Sequence, residues 1–143
     1  MDENKILEEI HQLQELELAI LKDVAEVCKK HDIKFFLGEG TLLGAIRHKG
    51  FIPWDDDVDL IMERSEYERF LAVAQEELGD KYQVQHPTTV DNYWSPFIKV
   101  RQLKGDFSFR QGHIAHLTEN NGPYIDIFPM EYVPTNMSFK IKR

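Results

Sequence analysis

Basic side chains are in deficit: 17 Lys and Arg stand against 25 Asp and Glu in 143 residues, a formal net charge of −8. A general nucleic-acid binder needs a basic face to displace counterions from phosphates, so that class is excluded. One phosphorylated small molecule remains compatible, because a metal ion reverses the local sign. Cysteine is nearly absent: Cys28 stands alone, which rules out an intrachain disulfide, argues against a Cys-based zinc site and fits a reducing compartment. No apolar run approaches the roughly 20 residues that span a bilayer. The acidic start Met1-Asp2-Glu3-Asn4 lacks the apolar segment of a signal peptide. Prolines are few and no low-complexity tract is present, while 42% of residues are hydrophobic. The expectation is therefore one soluble, cytoplasmic domain that buries a real core.

Apolar residues at Ile6, Ile10, Leu13, Leu16, Ile20, Val24 and Val27 step by three and four, which predicts a long amphipathic helix within residues 1–31. Ile33–Leu37 reads as a short buried strand, Gly38-Glu39-Gly40 as a tight turn, and Thr41–Arg47 as a short helix closed by His48-Lys49-Gly50. Phe51–Trp54 is expected to be an extended connection and Val58–Met62 a second strand. Ser65 with Glu68 has the form of a capping box, ahead of a helix that Gly79 stops. Tyr82–Gln85 looks like a strand and Pro87–Ser95 a polar loop. Phe97–Gln102 and Phe107–Arg110 suggest a hairpin, and Asn120–Pro123 a turn before a strand at Tyr124–Phe128. There is no internal repeat, and the signal fades after Pro134. This order predicts an α+β fold with a mixed sheet, its core spanning residues 33–134.

Asp55-Asp56-Asp57-Val58-Asp59 crowds carboxylates at the mouth of a strand. Side chains alternate along a strand, so Asp57 and Asp59 share a face, with Asp55 placed to join them. Two carboxylates about 4 Å apart repel by roughly 4 kcal/mol at an effective dielectric near 20. A cation, a shared proton or ample solvent must relieve that repulsion. Oxygen-only ligands suit Mg²⁺ or Mn²⁺, which accept phosphate oxygens in their remaining positions. A solvated acidic loop is the bland alternative. The aromatic–strand setting of the run, the Gly-flanked helix upstream and a lone Asp in a hydrophobic strand downstream all weigh against it. A calcium loop would use Asp55, Asp57, Asp59 and Glu66, but its sixth position needs Gly and holds Leu60.

Around the acids, Gly38-Glu39-Gly40-Thr41 offers close backbone approach and a helix N-terminus to an anion, with Thr41 a cap or a phosphate contact. Arg47 is placed to stabilise charge on a leaving group or to counter the nearby acids, and Trp54 to stack on a base or line a pocket. Asp126 interrupts the apolar Tyr124–Phe128 stretch and needs a partner: a buried cation, or the other acids as third ligand or general base. His113 and His116 have metal-pair spacing but no third ligand, so ordinary surface or core histidines are expected.

The run Phe36–Asp59, FLGEGTLLGAIRHKGFIPWDDDVD, resembles the signature of the LicD family, which includes bacterial phosphocholine transferases and, more distantly, the fukutin-related proteins. The likeness extends from about Leu16 to Pro134 and takes in YIDIFP at Tyr124–Pro129. The resemblance implies a nucleotidyltransferase-like fold in which Gly40-Thr41 is the turn, Asp57 and Asp59 the metal-binding pair and Asp126 the third catalytic acid, with Asp55 an extra ligand. It implies Mg²⁺- or Mn²⁺-dependent transfer of a phosphorylated alcohol, such as phosphocholine, from a CDP-activated donor to a sugar hydroxyl of a cell-surface glycan. Expected partners are that donor and a glycan acceptor, without nucleic acid or a transmembrane segment, and compatibly with peripheral membrane association. Glu39 departs from the pattern, where a smaller residue is usual. Similar proteins are expected to continue for about a hundred further residues, so a truncated chain is anticipated. The alternatives are a non-catalytic nucleotide- or glycan-binding module, and a nucleotidyltransferase that adds a nucleotide.

Overall fold

A computed structural model describes residues 3–103 and 122–131. The elements in order are α1 (Glu3–Lys30), β1 (Phe36–Leu37), α2 (Glu39–Arg47), β2 (Asp59–Glu63), α3 (Arg64–Leu78), a 3₁₀ turn (Gly79–Lys81), β3 (Tyr82–Gln85), β4 (Ile98–Gln102) and β5 (Tyr124–Met130). The strands form one sheet in the order β1-β2-β5-β4-β3. Among the described strands only β2 and β5 run parallel; the other neighbours are antiparallel. The fold is therefore α+β with a mixed sheet.

One face of the sheet carries the core. Leu60 and Met62 of β2, Ile125 and Ile127 of β5, Ile98 and Val100 of β4 and Val84 of β3 are buried against Ile20 and Val24 of α1 and Tyr67, Phe70 and Ala74 of α3. The expected stripe on α1 is buried at Ile20, Val24 and Val27, whereas Ile6 is 39% exposed near the start. α1 ends in a left-handed residue, Asp32 (φ 53°), with Ile33 N–H donating to Cys28 O at 2.8 Å and Asp32 N–H to Lys29 O at 3.4 Å. Arg69 of α3 donates to His31 O, tying the two helices together at that corner. Gly79 (φ 69°) terminates α3 in the conformation that favours glycine.

Several local expectations need correction. The strand at Ile33–Leu37 shrinks to Phe36–Leu37, because β1 lies at the sheet edge and pairs only with Ile61 and Leu60. The Gly38–Gly40 turn is instead the entry to α2, which starts at Glu39, itself at φ 42°. Gly38 is the N-cap and makes no side-chain cap, so Thr41 is not the cap. The capping box fails too: α3 begins at Arg64 with Glu63 as N-cap and no capping side chain, leaving Ser65 inside the first turn. Phe51–Trp54 is not fully extended, since Asp55 N–H reaches back to Ile52 O at 2.9 Å and closes a turn over Pro53-Trp54. β5 continues through Pro129 to Met130. That proline is tolerated because β4 pairs with β5 only from Tyr124 to Ile127. The expected strand at 107–110, the histidines at 113 and 116, and residues beyond 131 lie outside the described residues. Among the described residues no helix is long and apolar enough to cross a membrane.

Candidate active site

Parallel pairing of β2 with β5 sets Asp59 directly beside Asp126. In-register neighbours point to the same side of a sheet, about 4.8 Å apart. Leu60 and Ile127 mark the core side, so the two acids project from the opposite face. On that face β4 brings Lys99 into register with Asp126, and Lys99 Nζ donates to Asp126 Oδ1 at 2.5 Å. Lys99 also lies over the Tyr124 ring, 3.9 Å from its centroid. Arg101, next along the face, donates to Gln85 Oε1 and to Gly122 O. Lys99 and Arg101 are both buried. In the fold they form a basic floor beneath Asp126.

The Trp54–Asp59 loop meets this pair from the start of β2 and is held on two sides. From α1, Gln14 Nε2 donates to Asp55 O at 2.7 Å and to Ile52 O at 3.2 Å. From α2, the Thr41 hydroxyl accepts the Asp59 N–H at 2.9 Å. Gly40 lies so close to Asp55 that a Cβ there would stand 2.7 Å from Asp55 Oδ2. Gly44 does the same for the return path, where a Cβ would meet Gly50 O at 2.5 Å. The Gly-Thr pair therefore shapes the acid loop directly: glycine admits one carboxylate to the first turn of α2, and threonine anchors the backbone of another acid.

Within the loop, carboxylate oxygens of Asp55, Asp56 and Asp57 lie within 4.8 Å of one another. Asp59 and Asp126 stand outside that tight group, side by side on the sheet. Lost solvation, a hydrogen bond with Asp55 and the charges of Asp59 and its loop neighbours push the Asp57 carboxyl up to about 7. Burial, then Asp126 and Glu39, raise Asp59 to about 6, with Lys99 opposing. Burial also raises Asp126 although Lys99 pulls it down. Burial lowers Lys99 despite that ion pair. Three carboxylates with converging oxygens have the ligand chemistry of a divalent-cation site, and a cation there would relieve their repulsion. The donor set is all oxygen and fits Mg²⁺ or Mn²⁺.

The other expected contacts are farther out. Arg47 ends α2, about 12 Å along the axis from Glu39, and is exposed. Trp54 is 69% exposed beside the acids, edge-on to the His48 ring at 6.5 Å. Two site neighbours escape a reading of local sequence: Lys99, and Glu17 of α1. Glu17 is 3% exposed, and its Oε2 atom has no hydrogen-bond partner. Burial and the charges of Asp57, Asp56, Asp55 and Asp126 push its carboxyl up to about 10. A signal existed, because Glu17 continues the Ile20–Val24 stripe at helical spacing, where an acid is out of place.

Residues 32–142 match the sequence profile described as LicD/FKTN/FKRP, nucleotidyltransferase domain. The chain belongs to this family. Among curated LicD-family relatives, the lipopolysaccharide cholinephosphotransferase LicD of Haemophilus influenzae is 36% identical over 118 residues, covering 82% of this chain and 42% of that protein. The ribitol 5-phosphate transferase FKRP of mouse is 31% identical over 116 residues, and its human counterpart 30%, each alignment covering 79% of this chain and 19% of the relative. The chain thus spans under half the length of these curated relatives. The family match covers α2, the acid loop and every described strand; α1 lies outside it.

Proposed function

We propose that this LicD-family domain transfers a phosphorylated alcohol, phosphocholine-like, from a CDP-activated donor to a sugar hydroxyl of a cell-surface glycan, in a nucleotidyltransferase-like arrangement that depends on Mg²⁺ or Mn²⁺. The observation that carries this reading is the gathering of Asp55, Asp56 and Asp57 against the start of α2, beside the in-register pair Asp59 and Asp126. The names of the relatives, a cholinephosphotransferase and ribitol 5-phosphate transferases, support the chemical class.

Asp55, Asp57, Asp59 and Asp126 are the proposed cation ligands, and the bound ion would neutralise the donor's diphosphate. The first N–H groups of α2, at Gly40 and Thr41, lack intrahelical acceptors and face that diphosphate. Arg47 contacts the donor farther from the acids, and Trp54 contacts it beside them by stacking on the base. In the transfer, the acceptor oxygen bonds to the phosphorus that carries the alcohol, and the bond from that phosphorus to the CMP oxygen breaks. CMP leaves with the electron pair. The acceptor's proton passes to Asp126, whose raised affinity for a proton suits a general base. Lys99 then holds Asp126 in place and limits the charge stranded there when it is ionised.

Calorimetry with a panel of CDP-alcohols, with and without Mg²⁺ or Mn²⁺, tests the proposal. Binding should require the ion and be lost in Asp57→Asn and Asp59→Asn; unchanged affinity in either variant rejects it. Product analysis with a glycan acceptor separates the alternatives. Release of CMP marks transfer of the phosphoalcohol, nucleotide on the acceptor marks a nucleotidyltransferase, and binding without turnover marks a recognition module.

A further inference from the structure

Glu17 belongs to α1, which the family match does not include, yet it is buried one helical turn from Gln14, whose amide holds the backbone of the acid loop. We propose that Glu17 is a positioning residue of the cation site, accepting a hydrogen bond from a water on the bound divalent ion and so tying α1 to the acid loop through that site. The inference rests on the preceding reading that the loop binds such an ion.

Three observations converge on it. Glu17 Oε2 is buried without a partner, so an acceptor is held ready and unused. One helical turn earlier, Gln14 clamps the loop by its backbone carbonyls, which fixes the approach of this face of α1 to Asp55. The strongest charges acting on Glu17 come from Asp57, Asp56 and Asp55, the acids whose oxygens converge. Glu17 is not among the three aspartates whose oxygens converge, and the role assigned to it is the outer one, on a water of the ion. Divalent ions of this kind keep several waters, and those waters need acceptors. A glutamate that merely filled core space would need no acids in front of it, and its isosteric amide would serve equally well.

The test is Mn²⁺ affinity by calorimetry together with melting temperature in EDTA, for the wild type, Glu17→Leu, Glu17→Gln, Asp57→Asn and the exposed-charge control Glu15→Gln. Glu17→Leu, which removes the acceptor, should bind Mn²⁺ about ten- to a hundredfold more weakly, and Glu17→Gln, which keeps an acceptor oxygen but loses the charge, should fall between it and the wild type. Their metal-free melting temperatures should hold or rise, since a buried unpaired acid is gone. Glu15→Gln should match the wild type. Wild-type affinity in both Glu17 variants, alongside loss in Asp57→Asn, overturns this inference and leaves the cation site standing. No Mn²⁺ binding by the wild type overturns both. Should Glu17→Leu fail to fold, Glu17→Gln decides the matter on the same criteria.

Discussion

Raising the pH of the metal-free protein from 5 to 8 should destabilise it, against the usual behaviour of acids paired in a native state. Asp59 is 8% exposed, and burial with Asp126 beside it lifts its carboxyl from 3.8 to about 6. Between those values the unfolded chain has lost a proton that the folded chain still holds, so stability falls as pH rises. A shift of about two units corresponds to about 3 kcal/mol, of which roughly half is already expressed at pH 5 and the rest is lost by pH 8. Glu17, lifted from 4.5 to about 10, keeps its proton across the whole window. It adds at most about 4 kcal/mol, a ceiling that any water entering the loop lowers. Asp57, more exposed than either, acts in the same direction. A net loss of order 3 kcal/mol in a chain of this size lowers the melting temperature by about 10 °C. His86, whose burial holds its pKa down, works the opposite way at the acid end. The decisive quantity is therefore the difference in pH slope between the wild type and Asp59→Asn or Glu17→Gln, in which the contribution of His86 cancels. Thermal unfolding followed by circular dichroism in EDTA measures it. Substitution should flatten the slope, and millimolar Mn²⁺ at pH 8 should restore the wild-type melting temperature. Equal slopes in all three proteins would refute the electrostatic account of the site.

Two further substitutions test how the loop is held. Gly40→Ala places a methyl 2.7 Å from Asp55 Oδ2 in a helix that otherwise tolerates alanine, so Mn²⁺ affinity should fall at least tenfold by calorimetry while urea unfolding shows less than about 1 kcal/mol of change. Lys99→Met strips Asp126 of its buried cation and should cost about 3–5 kcal/mol at neutral pH. That loss should shrink in acid as Asp126 is neutralised, and a pH-independent loss would mean that the packing of Lys99 on Tyr124 matters more than its charge.

The order of elements was legible from local chemistry, because periodicity and turn residues act over a few neighbours. The helix through Lys30, the strand at Tyr82–Gln85 and the stop at Gly79 all follow from spacing and glycine. Where local chemistry misled, a tertiary contact outweighed a local preference. Thr41 has the chemistry of a cap but accepts from the Asp59 backbone, and Ser65 matches a capping box yet sits inside α3, whose start is set by the end of β2. The long Gly-Thr and Asp run was specific enough to point to the LicD family by itself.

Sequence alone determined the acids, the small residues that admit them and the family to which they belong. Tertiary structure decided their company. Parallel pairing of β2 with β5 set Asp59 against Asp126, antiparallel β4 slid Lys99 beneath it, and α1 carried Gln14 and Glu17 to the back of the loop. The physical reason is that an apolar pattern records which side of a segment is buried, while the identity of its neighbour across the core depends on how the sheet is ordered and how the helices pack on it.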